Sequence, residues 1–250
     1  MKKTLTAILA FFACFALILT LGACSSNDPV IESEETSEVT ADNKADCLEL
    51  LNSFFEETIK SGNFVATSTH EEDRRIESVV GDASCTVNES DGSTFWAFKR
   101  GDEFICAVSA DGSNQYIIGE DYYNSYYLSS LSSLNVMEYV PEEGFTFQCT
   151  VKTKEMRVTR GDQTSDETTA TLSFEAKMEG SGSINITATA KNGLVESMVY
   201  STTDLAADQT LALTTTFVYG NAVVTLPDIT DWEDVSSTVD KAETDEDAGA

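Results

Sequence analysis

Residues 184–201 read INITATAKNGLVESMVYS, two runs that alternate between apolar and polar side chains around Asn192-Gly193. An Asn-Gly pair is typical of a two-residue β-hairpin turn, because both of its positions require positive φ. The alternation has period two, as in a strand with one buried face and one solvated face. It predicts two cross-strand pairs on the buried face, Ala190 with Val195 and Ile186 with Val199. This stretch therefore predicts an antiparallel hairpin.

The same period continues on the N-terminal side of this hairpin. In residues 145–152 and again in residues 169–178, apolar side chains alternate with polar ones, which predicts antiparallel strands with one solvated face. Residues 94–99 and 104–108 predict a further hairpin around Gly101-Asp102, and its strands are apolar on both faces. Either both faces of this hairpin are covered, or one face borders an apolar cavity.

One helix precedes the strands. From Asn43 to Lys60 the apolar residues recur every three or four positions, which places them on one stripe of a helix: Cys47, Leu48, Leu51, Phe54, Phe55 and Ile59. Asp42 or Asn43 can cap its start, and Gly62 can end it in a left-handed conformation. A single apolar stripe needs a partner surface. We therefore expect the α+β class, with an N-terminal amphipathic helix packed on an antiparallel β-sheet.

The N-terminus has the pattern of an export sequence. Lys2 and Lys3 precede an apolar run from Ala7 to Leu21, which is too short for a comfortable membrane span. The next residues, Leu21-Gly22-Ala23-Cys24, resemble the lipobox of secreted bacterial lipoproteins, in which the cysteine becomes the new N-terminus and carries a diacylglyceryl group. This resemblance implies lipidation of Cys24 and anchoring on the extracellular face of the cell membrane. The alternative is an ordinary cleaved signal peptide that contains a cysteine.

Composition divides the chain into four parts. Residues 1–23 are the expected lipoprotein signal peptide. Residues 24–44 are acidic and poor in large apolar side chains, so we expect a disordered tether. Residues 45–230 form a single domain that is large enough to bury a core. Residues 231–250 are again acidic, and we expect them to be a disordered tail.

Charge limits the choice of partners. The formal net charge is −28, and removal of Lys2 and Lys3 with the signal peptide leaves −30. A polyanion is repelled by phosphate backbones and has no basic patch with which to release counterions, so nucleic acid is excluded. Anionic lipid headgroups repel it for the same reason, which leaves the anchor on Cys24 as its contact with the membrane. We expect a monomer without a cofactor.

Few residues indicate chemistry. The one histidine, His70, is followed by three carboxylates, but a single histidine at the end of a predicted strand is typical of a surface residue. The sequence has no motif for a nucleophile, a phosphate loop or a metal site, so we predict no catalytic or metal-ligating residue. The number of carboxylates allows a two-carboxylate glycosidase, yet no pair stands out.

Four cysteines remain after the anchor: Cys47, Cys85, Cys106 and Cys149. An even number in an exported domain favours two disulfides, and the sequence does not rank the three connectivities that four cysteines allow. The alternative is that they stay reduced as small buried apolar residues. There is no Cys-x-x-Cys pair, which argues against thiol catalysis.

Aromatic residues cluster in the middle of the chain. Six of the eight tyrosines lie between Tyr116 and Tyr139, at a spacing that suits a short helix or a flap over the sheet. A tyrosine has a large apolar ring with a polar tip, so it fits the lip of an apolar pocket, an exposed recognition surface or the edge of a core.

The order of these segments resembles the LolA-like lipoprotein-carrier superfamily. The similarity covers residues 45–230, from the helix that ends in Gly62-Asn63-Phe64 through the antiparallel meander to Phe217-Val218-Tyr219-Gly220 and residues 223–227. It implies a half-barrel, in which a strongly curved antiparallel sheet half-wraps a helical lid over a cavity for acyl chains. The candidate lining residues of that cavity are Phe95, Trp96, Phe98, Phe104, Tyr122, Tyr123, Tyr126 and Tyr127.

Three functions follow, in order of preference. The first is a lipid-anchored envelope protein that binds an apolar or lipid-like ligand in the cavity between sheet and helix. The second is a surface interaction protein that contacts a protein or cell-wall partner through its acidic, tyrosine-rich face, and a small cavity would favour it. The third is a carboxylate-dependent hydrolase, which needs two carboxylates with perturbed pKa values in a cleft. We expect a binding protein rather than an enzyme.

Overall fold

The computed structural model describes residues 29–160, 162–204, 207 and 209–237. Its helices are α1 (Lys44–Ser61), α2 (Glu120–Tyr126) and α3 (Ser132–Tyr139), with a 3₁₀ turn at Ser129–Leu131. Its strands are β1 (Val30–Ala41), β2 (Asn63–His70), β3 (Asp73–Val80), β4 (Ala83–Asn88), β5 (Thr94–Arg100), β6 (Glu103–Ala110), β7 (Ser113–Ile118), β8 (Phe145–Arg160), β9 (Gln163–Met178), β10 (Gly182–Lys191), β11 (Leu194–Asp204), β12 (Gln209–Tyr219) and β13 (Glu233–Asp234).

All thirteen strands belong to one sheet, in the order β1-β8-β9-β10-β11-β12-β2-β3-β4-β5-β6-β7-β13. The sheet is mixed, because β13 pairs with β7 in parallel whereas β2 to β7 pair antiparallel in sequence. The predicted fold class, α+β with a helix on a curved half-barrel, is therefore wrong. The physical reason is that two acidic segments assigned to disordered ends form edge strands of one large sheet, and the helices are short.

The segment expected to be a tether contains β1. Its residues are almost all exposed, yet the strand pairs with β8, and Glu38 of β1 forms an ion pair of 3.3 Å with Lys152 of β8. Backbone pairing and neighbouring basic side chains offset the self-repulsion that the acidic composition suggested. At the other end of the sheet, Glu233 and Asp234 form β13. The folded part thus extends beyond residue 230.

The ends of β1, β8 and β9 make a small compact unit of residues 29–35, 155–160 and 162–167. Its strands are joined by charged and hydroxyl side chains. Arg157 lies 3.9 Å from Glu32 and 3.7 Å from Asp166, and Thr159 donates a hydrogen bond of 2.6 Å to Glu32. Arg160 pairs with Glu167. Exposed pairs of this kind contribute little each, so backbone pairing is the main support of this unit.

Helix α1 forms where the apolar spacing predicts it. The Asn43 side chain accepts a hydrogen bond from the Asp46 N–H at 3.0 Å, and Gly62 ends the helix with φ 52°. The inner stripe is fully buried at Cys47, Leu51 and Phe55, where it joins the main core. The prediction of this helix and of both of its ends is confirmed.

The Asn-Gly hairpin is also confirmed, with one difference in register. Asn192 and Gly193 have φ 51° and 80°, and Ala190 faces Val195 as predicted. Beyond this pair, Thr189 faces Ser197, so Glu196 is an extra residue on β11 and forms a β-bulge. The bulge shifts every later pair by one residue and turns Met198, instead of Val199, towards the core.

Side chains from α1 and β12 satisfy the backbone of Val195 beside this bulge. The Val195 N–H donates to Thr58 Oγ1 at 2.9 Å, and Tyr219 Oη donates to the Val195 carbonyl at 2.6 Å. Thr58 Oγ1 and Tyr219 Oη are themselves 3.0 Å apart. These contacts close a ring of hydrogen bonds that fixes α1 on the hairpin.

Thr58→Val keeps the shape of this buried side chain and removes its two hydrogen bonds. Because the Val195 N–H then has no partner in the core, we expect a loss of about 1–3 kcal/mol in the free energy of unfolding. Urea denaturation measures it. Tyr219→Phe removes the other member of the ring, and the double variant should lose less than the sum of the single variants. If the losses of the two single variants simply add in the double variant, the ring of hydrogen bonds is contradicted.

Strands β5 and β6 have packing partners on both faces, and one face also borders a cleft, so each of the two alternatives for this hairpin holds in part. On one face, Phe95 and Phe104 lie against tyrosines of α2. On the other face, Phe98 and Ile105 form a second core with Ile229. Tyrosines of α2 thus pack on one apolar face of the hairpin, and the segment that contains Ile229 packs on the other.

Candidate functional site

Helix α2 lies on β5, β6 and β7 and brings the tyrosine cluster to the sheet. Gly119 precedes it in an extended conformation, and a Cβ atom at this position would lie 3.0 Å from the Tyr122 ring. The absence of a side chain at Gly119 therefore lets the Tyr122 ring lie against the backbone at the start of the helix.

The four tyrosines of this region divide into two pairs. Tyr123 and Tyr127 stack with ring centroids 5.0 Å apart. Their hydroxyls donate to backbone carbonyls of the β3–β4 turn, Tyr123 to Asp82 at 3.0 Å and Tyr127 to Gly81 at 2.6 Å. Buried tyrosines usually find such partners, so this pair is structural and anchors the segment.

The other pair, Tyr122 and Tyr126, borders an open cleft. Tyr126 is 38% exposed and stacks on Phe95 of β5, with centroids 5.6 Å apart and ring planes inclined by 12°. The cleft has a volume of about 200 Å³ and is lined by Phe95, Cys106, Val108, Gln115, Tyr116, Ile117, Tyr122, Tyr126 and Val235. Sites for small molecules usually have about 300–1,000 Å³, so this cleft suits one ring or one branched side chain.

The eight predicted lining residues do not come together at one site. Phe95, Tyr122 and Tyr126 line the cleft. Phe104 packs edge-on against Tyr123 at 5.2 Å, beneath the ammonium group of Lys99. Trp96 and Phe98 lie on the opposite face of the sheet, where Trp96 contacts Trp232 at 5.7 Å and donates to the Thr225 carbonyl at 3.1 Å.

A second cleft, of about 270 Å³, lies on that opposite face. Phe98, Lys99 and Arg100 line one side, and residues 226–230 line the other. This cleft has charged residues in its walls, and Ile229 is packed into the second core. It therefore presents less apolar surface to a ligand than the cleft beside α2 does. We therefore take the cleft beside α2 as the candidate site.

Six lining residues of this site were not predicted as such from the sequence: Cys106, Val108, Gln115, Tyr116, Ile117 and Val235. Val235 belongs to the segment assigned to the tail, and Gln115 has no pattern of its own in β7. The structure joins them through β13, because Gln115 Nε2 donates to Glu233 at 2.8 Å and the Val235 N–H donates to the Tyr116 carbonyl at 3.0 Å. β13 consists of two acidic residues, Glu233 and Asp234, so no alternation of apolar and polar side chains marks a strand after Trp232.

The titratable groups of the described residues do not mark an acid–base pair. Hydrogen bonds from Ser93, Thr230 and Ser236 lower the pKa values of Asp91, Asp228 and Asp234, which is the opposite of what a general acid needs. His70 Nδ1 lies 2.9 Å from the Ala212 carbonyl. Within the same part of the chain, no group of three or more potential ligands could hold a metal ion.

Burial raises the pKa values of four tyrosine hydroxyls above their usual value of 10, those of Tyr123, Tyr127, Tyr200 and Tyr219. As the pH rises above 10, these hydroxyls lose their protons in the unfolded chain before they do so in the folded protein. The free energy of unfolding that they support below pH 10 therefore decreases as the pH rises further. Urea midpoints at about pH 8 and about pH 11 measure the fall, and Tyr123→Phe should reduce it. A constant midpoint would contradict the burial of these hydroxyls.

The sequence favoured two disulfides, but in this structure the four cysteines of the described part are in the reduced form, and Cys106 lines the cleft. The predicted lipidation at Cys24 and the signal peptide of residues 1–23 lie outside the described residues. In the described part, no helix is long and apolar enough to cross a membrane.

Comparisons with family models, with curated proteins and with solved structures found no match to this chain. The resemblance to the LolA-like superfamily stays a prediction.

Proposed function

We propose that this chain is a lipid-anchored surface protein of the cell envelope that binds a partner through the cleft beside α2. The carrying observation is the partly exposed Phe95–Tyr126 stack, which forms one wall of an open cleft of about 200 Å³. A volume of this size accepts one apolar group of a larger molecule. This favours the interaction protein over the carrier of a whole acyl chain.

The chemistry of the rim indicates which partner fits. Glu120 and Asp121 stand in the first turn of α2, next to Tyr122, and Glu233 bonds to Gln115 on the opposite side. These carboxylates neighbour lining residues of the cleft, along the chain or through a hydrogen bond, in a chain of net charge −28. Charge complementarity then favours a polypeptide segment in which an aromatic or branched apolar side chain stands beside lysine or arginine.

The anchor and the binding site support each other in this proposal. The lipobox-like tetrad ending at Cys24 would hold the domain at the membrane, and the acidic surface would keep it away from anionic headgroups. A cleft that faces outward is then accessible to proteins or wall-linked peptides at the cell surface.

The test uses the full-length protein purified in detergent and two peptide probes, Lys-Phe-Lys and Glu-Phe-Glu. We expect the basic peptide to bind with a Kd of about 1 mM, because one ring and two exposed charge pairs supply only a few kcal/mol. The acidic peptide should bind at least tenfold more weakly. NMR titration or tyrosine fluorescence measures both affinities.

Tyr126→Ala removes half of the aromatic wall and should weaken the binding of Lys-Phe-Lys about tenfold, as expected for loss of an aromatic anchor. Tyr139→Ala is the matched control, since Tyr139 is 84% exposed and is not a lining residue of the cleft beside α2. Equal effects of the two substitutions would contradict the proposal. A bound lipid mass in native mass spectrometry that Tyr126→Ala removes would instead assign the cleft to an apolar ligand.

A further inference from the structure

Two of the four cysteines belong to the same region of the core. Cys47 lies in the first turn of α1 and Cys149 lies on β8, and both are fully buried in the main core. Cys47 Sγ donates to the carbonyl of Ala41, the last residue of β1, at 3.5 Å. The start of α1 therefore folds back over the end of the strand that neighbours β8.

The pairing of β1 with β8 places Ala41 close to Cys149. Glu32 lies beside Arg157 and Glu38 lies beside Lys152, so the residue numbers rise along β1 as they fall along β8 and the strands are antiparallel. Three residues beyond Glu38 is Ala41, and three residues before Lys152 is Cys149. Neighbouring strands are about 4.8 Å apart, so Cys149 lies close to Ala41. This brings it within disulfide reach of Cys47, whose Sγ is hydrogen-bonded to the Ala41 carbonyl.

The pKa of the Cys149 thiol is consistent with Cys47 lying close to it. Burial raises the pKa of Cys149 to about 12, and Cys47 contributes to the rise. Burial likewise raises the pKa of Cys47 to about 11, with further contributions from Asp42 and Asp46. A thiolate is destabilised at each position, whereas a neutral disulfide is not.

The other two cysteines cannot pair with each other. Cys85 faces Trp96, and Trp96 faces Ala107, so these three side chains are on one face of the sheet. Cys106 precedes Ala107 and points to the opposite face. One strand also separates β4 from β6, so the Cα atoms are about 10 Å apart, beyond the 7 Å limit for a disulfide.

We propose that Cys47 and Cys149 form a disulfide that ties the start of α1 to β8, while Cys85 and Cys106 stay thiols. The two thiols lose two electrons and two protons to a disulfide donor, which is reduced to two thiols through a mixed disulfide. Because the folded protein holds both thiols buried and protonated, the exchange takes place during folding, before α1 closes over β8.

The test refolds the full-length protein with oxidised and reduced glutathione and digests it, without reduction, with a protease that cleaves after glutamate. Each of these four cysteines then lies in its own peptide: residues 39–49 for Cys47, 78–89 for Cys85, 104–120 for Cys106 and 144–155 for Cys149. We expect one linked species, formed by peptides 39–49 and 144–155, and its disappearance on reduction. Any other linked pair, or none, would overturn the proposal.

A second measurement does not depend on digestion. The link closes a loop of about 100 residues, so the oxidised protein should have a Tm about 10 °C above that of the reduced protein. The double variant Cys85→Ala/Cys106→Ala should keep this difference, and Cys149→Ala should abolish it. The proposal fails if the difference persists in Cys149→Ala or vanishes in the double variant.

Discussion

Glu77→Leu is expected to lower the free energy of unfolding by about 4 kcal/mol, the sum expected for two lost hydrogen bonds to a charged acceptor. Glu77 lies on β3 and is only 1% exposed. Its two carboxylate oxygens accept the backbone N–H groups of Ser129 and Ser130 at 2.9 and 2.8 Å. These donors start the 3₁₀ turn, so leucine would leave both buried and without a partner.

The large effect depends on where these donors lie. Ser129 and Ser130 are both buried, and Ser129 also bonds to Thr86 of β4 at 3.2 Å. Leu128, which precedes the turn, has φ 55°, a left-handed conformation that leucine rarely adopts. The Glu77 carboxylate therefore supplies two of the hydrogen bonds that hold this strained turn against the sheet.

Glu77→Gln is the matched control, because it keeps the shape and one acceptor oxygen. We expect it to lose about half as much free energy as Glu77→Leu, since one N–H keeps its partner. Urea denaturation of the three proteins measures both losses. A loss below about 1 kcal/mol for Glu77→Leu would show that the carboxylate does not hold the turn.

Phe55→Ala is expected to have an effect of similar size, about 3–5 kcal/mol, through a cavity at the centre of the main core. Phe55 is fully buried on the inner stripe of α1 and contacts Phe54 edge-on at 5.6 Å. The loss combines the transfer of the ring to water with the cavity that it leaves, because the strands beneath α1 cannot close the space.

Phe54→Ala is the control for Phe55→Ala, since the same residue type is removed one position away on the partly exposed side of the helix. We expect it to lose less than half as much, and chemical denaturation measures both variants. Equal losses would contradict the position of α1 on the sheet.

Several elements of this fold could be predicted from local patterns. Asn43 and Gly62 mark the ends of α1, and Asn192-Gly193 marks the tight turn of the β10–β11 hairpin. The doubly apolar strands β5 and β6 have packing partners on both faces, and one face also borders the cleft beside α2. Capping, turn geometry and side-chain period depend on residues close in sequence, which is why these features were accessible.

Other elements depended on contacts between distant residues. Acidic composition suggested a disordered tether at β1, because repulsion within a segment is visible in the sequence but pairing with Lys152 is not. In the same way, the bulge at Glu196 became apparent only through its register against β10. These partners lie far away along the chain, so no local rule finds them.

The sequence by itself determined the helix, the hairpin turns, the acidic charge and the concentration of tyrosines in one segment. Only the tertiary structure decided that Tyr123 and Tyr127 are anchors, that Tyr122 and Tyr126 border a cleft, and that Trp96 packs against Trp232. The physical reason is that side-chain type and period describe what a residue can do, whereas its neighbours across the sheet determine which of those roles it has.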